Sequence, residues 1–192
     1  MIKKLFQAIR ILFSKKNTAL RKSVPYSKAN SIGFLINNNN EKDSKFIKEF
    51  VQSFINDGKK VTVVVNSLST VSGFEFPMIR ISKEDFSWNG KIKNEKIKEF
   101  AKTEFDYLLV ISNSLFLPFD QILAISKAKL RIGGLTQVEE EKSLTPGLIE
   151  QKSFSIGKHK LNLLEVSIKT AEGETLSGLL SQMKQFINKL KD

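Results

Sequence analysis

The stretch SIGFLINNNNEKDSKFIKEFVQSFINDGKKVTVVV, residues 31–65, contains the pattern that decides the fold. Its apolar run 32–36 is typical of a buried strand, and the β-branched run 61–65 predicts a second one. Between them, apolar residues recur at helical spacing over 43–56, and Gly58 suits the left-handed position that follows a helix. Two strands that are apolar throughout, separated by a helix, predict a parallel pair joined by a crossover.

The same alternation of strands and helices continues to the end of the chain. Further strands are predicted at 76–81, 107–111, 130–133 and 161–168, and further helices at 93–103, 119–127 and 176–190. Pro77 weakens the first of these strands, because proline cannot donate to a sheet ladder. The pattern predicts an α/β three-layer sandwich with a mainly parallel sheet, formed by residues 31–192.

Charge is distributed very unevenly along the chain. Residues 1–30 hold eight basic side chains and no acidic one, which is +8 of the net charge of +11. Residues 31–192 contribute only +3, from 23 basic and 20 acidic side chains. A basic arm on a nearly neutral body indicates a polyanionic partner, either nucleic acid or an anionic membrane surface.

The basic arm divides into an amphipathic helix over 2–13 and a linker over 14–30. The helix could pack on the domain, lie on an anionic membrane with Phe6 and Phe13 inserted, or enter a groove of structured RNA. The basic character continues through the linker without any apolar period, which favours RNA, and ribosomal RNA above all. The expected phosphate contacts are Lys3, Lys4, Arg10, Lys15, Lys16, Arg21 and Lys22.

Composition excludes several kinds of chemistry. The chain has no cysteine and one histidine, His159, so thiolate zinc sites, cysteine nucleophiles and a Ser–His–Asp triad are not expected. Gly133-Gly134 lacks the GKS or GKT tail of a phosphate-binding loop. Neither a membrane-spanning run nor a signal cleavage site is recognisable. We therefore expect a cytoplasmic protein without catalytic residues, metal or cofactor.

A small-ligand pocket remains an alternative at the carboxyl edge of the predicted sheet, where parallel α/β folds bind ligands. Asn37 and Asn38 follow the first predicted strand, and Ser112 and Asn113 follow the strand at 107–111. The glycines that let a backbone approach a pyrophosphate are missing from the first of these turns. The favoured interpretation is structural, with polar turns and with Asn40 or Asp43 capping the helix.

The order of segments resembles a bacterial family of short α/β proteins that is labelled a domain of unknown function. The resemblance rests on NSIGFLI, ISKEDFSWNGKIK, FDYLLVISNS, ISKAKLRIGG and LNLLEVSI. The stretch FDYLLVISNSLFLPFDQILAISKAKLRIGG also resembles part of the heptosyltransferase-type glycosyltransferases. That second resemblance implies a nucleotide-sugar fold, but the donor-binding residues of those enzymes have no counterpart here. Together the resemblances imply a Rossmann-like fold.

These observations favour a non-enzymatic binding protein in which a Rossmann-like domain carries a basic arm to structured RNA or the ribosome. The first alternative is a peripheral membrane protein held by the N-terminal helix. The second is a nucleotide or nucleotide-sugar binding domain of glycosyltransferase type. A protein partner also stays open.

Overall fold

Strands and helices alternate along the computed structural model, which describes residues 19–69, 77–87, 91–112, 116–135, 163–169 and 175–190. The strands in these residues are β1 (Ser31–Asn37), β2 (Lys60–Asn66), β3 (Met78–Ile81), β4 (Tyr107–Ser112), β5 (Leu130–Leu135) and β6 (Val166–Lys169). The helices are α1 (Glu41–Asn56), α2 (Glu95–Lys102), α3 (Leu117–Ile125) and α4 (Leu176–Asn188). A short 3-10 turn occupies Lys83–Asp85.

The described strands form one sheet in the order β3-β2-β1-β4-β5-β6, and every neighbouring pair is parallel. This is the strand order of Rossmann folds, with the direction of winding reversing between β1 and β4. The expected Rossmann-like sheet is confirmed.

Two apolar layers cover the two faces of the sheet. One contains Phe34 of β1 with Phe50 and Phe54 of α1 and Met183 of α4, and the three phenylalanine rings pack edge to face. The other contains Leu35 of β1, with Ile97 and Phe100 of α2 and Phe119 and Ile122 of α3. Because successive side chains of a strand point to opposite faces, the continuous apolar run of β1 supplies both layers. The three-layer arrangement is therefore confirmed.

Several element boundaries differ from the predicted ones. The last strand begins at Val166 and not at Leu161, because Leu163 is buried in the second apolar layer and Glu165 binds Arg131 before pairing with β5 begins. Helix α3 begins two residues earlier than predicted. Pro118 fits its first turn, where a missing N–H costs nothing.

Residues 19–30, predicted as part of a linker, lie against the domain. Ala29 is completely buried in the layer that contains α1 and α4, and Val24 and Tyr26 pack against the same layer. The backbone amide of Lys22 donates to the carbonyl of Lys129 at 3.1 Å, just before β5. We call residues 19–30 the strap. The predicted helix over 2–13 lies outside the described residues.

Gly33 marks a close approach between the central strand and the loop before β4. A Cβ atom at this position would lie 2.8 Å from Cδ2 of Phe105 and 3.0 Å from Cδ1 of Leu108. We expect Gly33→Ala to lower the free energy of unfolding by about 1–3 kcal/mol, because the buried Phe105 ring must move in a packed layer. Urea unfolding followed by circular dichroism measures this. Unchanged stability would contradict the close packing of β1 against Phe105.

Candidate functional site

A row of buried amide and hydroxyl groups crosses the carboxyl edge of the three central strands. The Nδ2 atom of Asn66 at the end of β2 donates to Oδ1 of Asn37 at 2.8 Å, and Nδ2 of Asn37 donates to Oγ of Ser112 at 3.2 Å. All three residues are at most 5 % exposed. Their alignment follows from the parallel register, which places Asn37 directly beside Ser112. We call these three residues the amide row.

Asn38 organises the turn between β1 and α1. Its backbone amide donates to Oγ of Ser69 at 3.1 Å, and the same hydroxyl donates back to the carbonyl of Asn38 at 2.6 Å. Its side chain bonds both backbone groups of Asn40. Asn40 in turn caps α1 by accepting from the amide of Lys42, which confirms one of the two predicted caps.

The structure thus brings together three of the four predicted pocket residues, Asn37, Asn38 and Ser112, while Asn113 lies outside the described residues. The hydrogen bonds described above are directed at one another and at neighbouring backbone, as in the structural role favoured by the sequence. Sequence reasoning missed Asn66 and Ser69. Their position in the sequence could have identified them, because both follow the predicted strand at 61–65 and therefore lie at the same edge of the sheet.

The chemistry of this edge suits neutral hydrogen-bonding partners better than phosphate. Amides and hydroxyls form the amide row, and Glu41 and Asp43 occupy the first turn of α1. These carboxylates oppose the attraction of a helix N-terminus for anions. In the part of the chain that the structure describes, no group of three histidine, cysteine, aspartate or glutamate residues could hold a metal ion.

The amide row predicts a measurable stability effect. Asn37→Ala leaves the Asn66 amide and the Ser112 hydroxyl without their Asn37 partner, so the free energy of unfolding should fall by about 1–3 kcal/mol. An Asn37→Ala/Asn66→Ala double-mutant cycle in urea should show a coupling energy of at least about 0.5 kcal/mol. Asn56→Ala, which removes an exposed amide, is the control. Additive effects of the two substitutions would rule out the row as a connected unit.

The opposite edge of the sheet carries the strap, and Arg21 fastens its first part. The Arg21 guanidinium donates to the carbonyls of Ser126, at 2.9 Å, and of Ala128, both just after α3. Arg131 donates to the carbonyl of Leu123 at 2.7 Å and binds Glu165 through both carboxylate oxygens. The two arginines satisfy carbonyls at the end of α3, as expected for cations at a helix C-terminus. Burial, together with the nearby Arg131 charge, lowers the pKa of Arg21.

Tyr26 fastens the second part of the strap. Its hydroxyl donates to the carboxylate of Asp57, and the Lys184 ammonium lies 2.9 Å from the same carboxylate. The ammonium groups of Lys59 and Lys184 lie 4.8 and 4.9 Å from the centre of the Tyr26 ring. Burial and the hydrogen bond to Asp57 raise the pKa of Tyr26. The strap is therefore held at two separate points, one beside α3 and one between α1 and α4.

Asp106 joins the end of the strap to the central strands. Its Oδ2 atom accepts from the backbone amides of Asn30, at 2.8 Å, and Ser31, at 3.0 Å, while Oδ1 lies 2.7 Å from the Lys129 ammonium. Burial of the carboxyl opposes ionisation, but the hydrogen bonds from Lys129 and the two amides outweigh it, so the pKa of Asp106 is lowered. The charged form holds this junction together.

The lowered pKa of Asp106 predicts an acid dependence of stability. A carboxylate whose pKa is depressed by folding stabilises the protein above its unfolded pKa, near 3.8, and loses that contribution as pH falls through the folded pKa. We expect Asp106→Asn to lower the free energy of unfolding at neutral pH by about 1–3 kcal/mol. Its stability should then fall less steeply than that of the wild type below about pH 4.

Urea unfolding between acid and neutral pH measures both effects of the Asp106 substitution. The matched control is Glu104→Gln, an exposed carboxylate in the same loop, which should change stability by less than about 0.5 kcal/mol. Parallel pH profiles of Asp106→Asn and wild type would contradict the assignment.

The two edges of the sheet differ in charge. At the amino edge, the segments 19–30, 57–60, 102–106 and 127–130 hold eight basic and three acidic side chains. At the carboxyl edge, the segments 37–43, 66–69, 82–85, 91–96, 112 and 116–120 hold five basic and six acidic side chains. Among the described residues, the amino edge together with the strap is therefore basic, whereas the charges at the carboxyl edge nearly balance.

The predicted phosphate contacts fall into three groups. Lys3, Lys4, Arg10, Lys15 and Lys16 lie outside the described residues. Arg21 is engaged by backbone carbonyls and lies 3.6 Å from Glu165, which leaves its guanidinium little capacity for a phosphate. Lys22 is exposed on the amino edge. No helix among the described residues has the length and apolar character needed to cross a membrane.

The all-parallel sheet with its 3-2-1-4-5-6 order places this chain among the Rossmann-like α/β proteins. A family model matches residues 3–153, and the chain belongs to that family, which is a family of unknown function (DUF6913). The expected membership of an uncharacterised family is confirmed. No curated protein and no solved structure matches the chain. The resemblance to heptosyltransferase-type enzymes stays a prediction.

Proposed function

We propose that this protein binds structured RNA, and ribosomal RNA in particular, through its basic N-terminal arm. The observation that carries the proposal is the charge of residues 1–30, which hold eight basic side chains and no acidic one. Lysine and arginine side chains that neutralise phosphates release condensed counterions, and this release is a main source of affinity for nucleic acids.

The attachment of the arm supports the proposal. The strap follows the five basic residues of 1–18 in the sequence, is fastened at the amino edge by Arg21 and Tyr26, and carries the exposed Lys22. A fixed point of attachment limits how far the arm can range, which lowers the entropy lost when it binds. Arg21 attaches the strap to the domain, and the other predicted basic residues contact the phosphates.

An anionic membrane is the second candidate partner, because the apolar spacing over 2–13 also suits a helix lying in a membrane surface. In that case Phe6 and Phe13 would each contribute about 1.5–3 kcal/mol of burial. Each cation near an anionic surface would add about 1 kcal/mol. The two candidates therefore respond differently to loss of charge and loss of apolar surface.

Full-length variants separate the two candidates. One neutralises the arm by Lys3→Gln, Lys4→Gln, Arg10→Gln, Lys15→Gln and Lys16→Gln, and the other removes apolar surface by Phe6→Ala and Phe13→Ala. If the arm binds RNA, the first variant should lose affinity for purified ribosomal RNA, and its log–log salt slope should shrink by about 0.7–0.9 for each lost contact. The Phe variant should bind ribosomal RNA nearly as the wild type does.

A control variant neutralises four exposed lysines elsewhere on the domain by Lys42→Gln, Lys83→Gln, Lys93→Gln and Lys96→Gln. It measures the effect of net charge alone. Unchanged RNA binding by the arm variant would refute the proposal. Binding only to phosphatidylglycerol vesicles, lost in the Phe variant at low salt, would establish the membrane candidate. Deletion of residues 1–30 is unsuitable, because it removes the buried Ala29.

A further inference from the structure

We infer that the amino edge of the domain forms a second part of the RNA-binding surface, in addition to the arm. This inference rests on the proposed function and extends it from residues 1–18 to the strap and the folded domain. The side chains concerned are the exposed lysines Lys22, Lys60, Lys102 and Lys127. We call them the edge lysines.

Backbone contacts place the edge lysines along one side of the molecule. The amide of Lys127 donates to the carbonyl of Ala101 at 3.1 Å, which sets Lys127 beside Lys102. The amide of Lys22 donates to the carbonyl of Lys129 at 3.1 Å, in the same loop as Lys127. Three of the four lysines therefore gather where α2 and α3 end and β5 begins.

Lys60 extends the surface across the sheet. It is the first residue of β2, it pairs with Ser31, and its amide donates to the carbonyl of Asn30 at 2.8 Å. From β2 to β5 the sheet crosses β1 and β4, which is about 14 Å at the usual separation of neighbouring strands. The edge lysines are thus spread over about 14 Å and are not confined to one point.

Other basic side chains, which make hydrogen bonds and ion pairs within the fold, lie among the edge lysines. These contacts hold the segments that carry the edge lysines in place. Arg21 and Arg131 satisfy carbonyls at the end of α3, and Lys129 pairs with Asp106. These cations already satisfy the end of α3 and the buried carboxylate, so Lys22, Lys60 and Lys127 add further positive charge, while Lys102 lies in the last turn of α2. Helix C-termini attract cations only over the last turn, whereas Lys22 and Lys60 lie outside any helix.

The composition of this surface favours RNA over a membrane. Leu20 and Ile125 are the large apolar side chains exposed beside it in the described residues. Binding in a membrane surface depends on a contiguous apolar face, whereas phosphates are recognised by separate cations. The edge lysines come from four different segments of the chain, so they are separate cations of the kind that recognises phosphates.

The test uses two full-length variants with equal changes of charge. The edge variant carries Lys22→Gln, Lys60→Gln, Lys102→Gln and Lys127→Gln, and the control is the Lys42, Lys83, Lys93 and Lys96 variant at the opposite edge. Circular dichroism first verifies that both fold. Binding to purified ribosomal RNA is then measured from about 50 to 200 mM salt, with phosphatidylglycerol vesicles as the second probe.

We expect the edge variant to bind ribosomal RNA at least about tenfold more weakly than the wild type at about 0.1 M salt, with a smaller salt slope. The control should stay within about twofold, because it removes the same charge from the other edge. Equal binding of both variants, or equal loss in both, would overturn the inference. Loss restricted to vesicles would overturn it in favour of a membrane.

The arm variant distinguishes failure of this inference from failure of the proposed function. If the arm variant loses RNA binding and the edge variant does not, the edge assignment fails and the proposed function stands. If the edge variant loses binding and the arm variant does not, the arm proposal fails, and the domain edge alone is the binding surface. If the wild type does not bind ribosomal RNA, both fail.

Discussion

All neighbouring strands of the sheet are parallel, and this constraint determines where every other feature of the described structure lies. A parallel strand can begin only after the chain has returned to the same edge of the sheet. The helices that make these returns end at the amino edge, and the turns that follow the strands gather at the carboxyl edge. Side chains that precede different strands therefore become neighbours at the amino edge, and side chains that follow different strands become neighbours at the carboxyl edge.

The two edges of the sheet are stabilised by different kinds of interaction. At the carboxyl edge, Asn66, Asn37 and Ser112 bond across three strands in a buried row, where an unsatisfied amide would be costly. At the amino edge, charged groups make the corresponding contacts. Asp106 accepts a hydrogen bond from the backbone just before β1, and Arg131 binds Glu165. Burial raises the pKa of Tyr107 to about 12, and its neutral hydroxyl donates to the carbonyl of Val24, which ties the strap to β4.

The strap changes how the basic arm is understood. A flexible linker would leave the arm free to sample a large volume, whereas residues 19–30 are held by Arg21, Tyr26 and the buried Ala29. The strap thus places Lys22 beside Lys129 at the amino edge, although the two residues are far apart in sequence.

Much of the fold was predictable because strands and helices have different local periods. The run Val61–Val65 and the helical spacing of Phe46, Phe50 and Phe54 identify their elements without reference to the rest of the chain. Boundaries set by distant partners were not predictable, as at Val166, where pairing with β5 and the Glu165–Arg131 contact decide the first residue of the strand. The position of Asn37 and Ser112 at one edge was predictable, whereas their bonding to one another depended on the register.

The sequence alone determined the fold class, the family resemblance and the concentration of positive charge in residues 1–30, because each is a local property of consecutive residues. Only the tertiary structure decided how the charges of the domain are sorted. Counted along the chain, residues 31–192 are nearly neutral, yet Lys60, Lys102 and Lys127, which are far apart in sequence, lie at the same edge of the sheet. The physical reason is that a parallel sheet places the residues that precede its strands at one edge and the residues that follow its strands at the other. A net charge added up along the sequence does not contain this information.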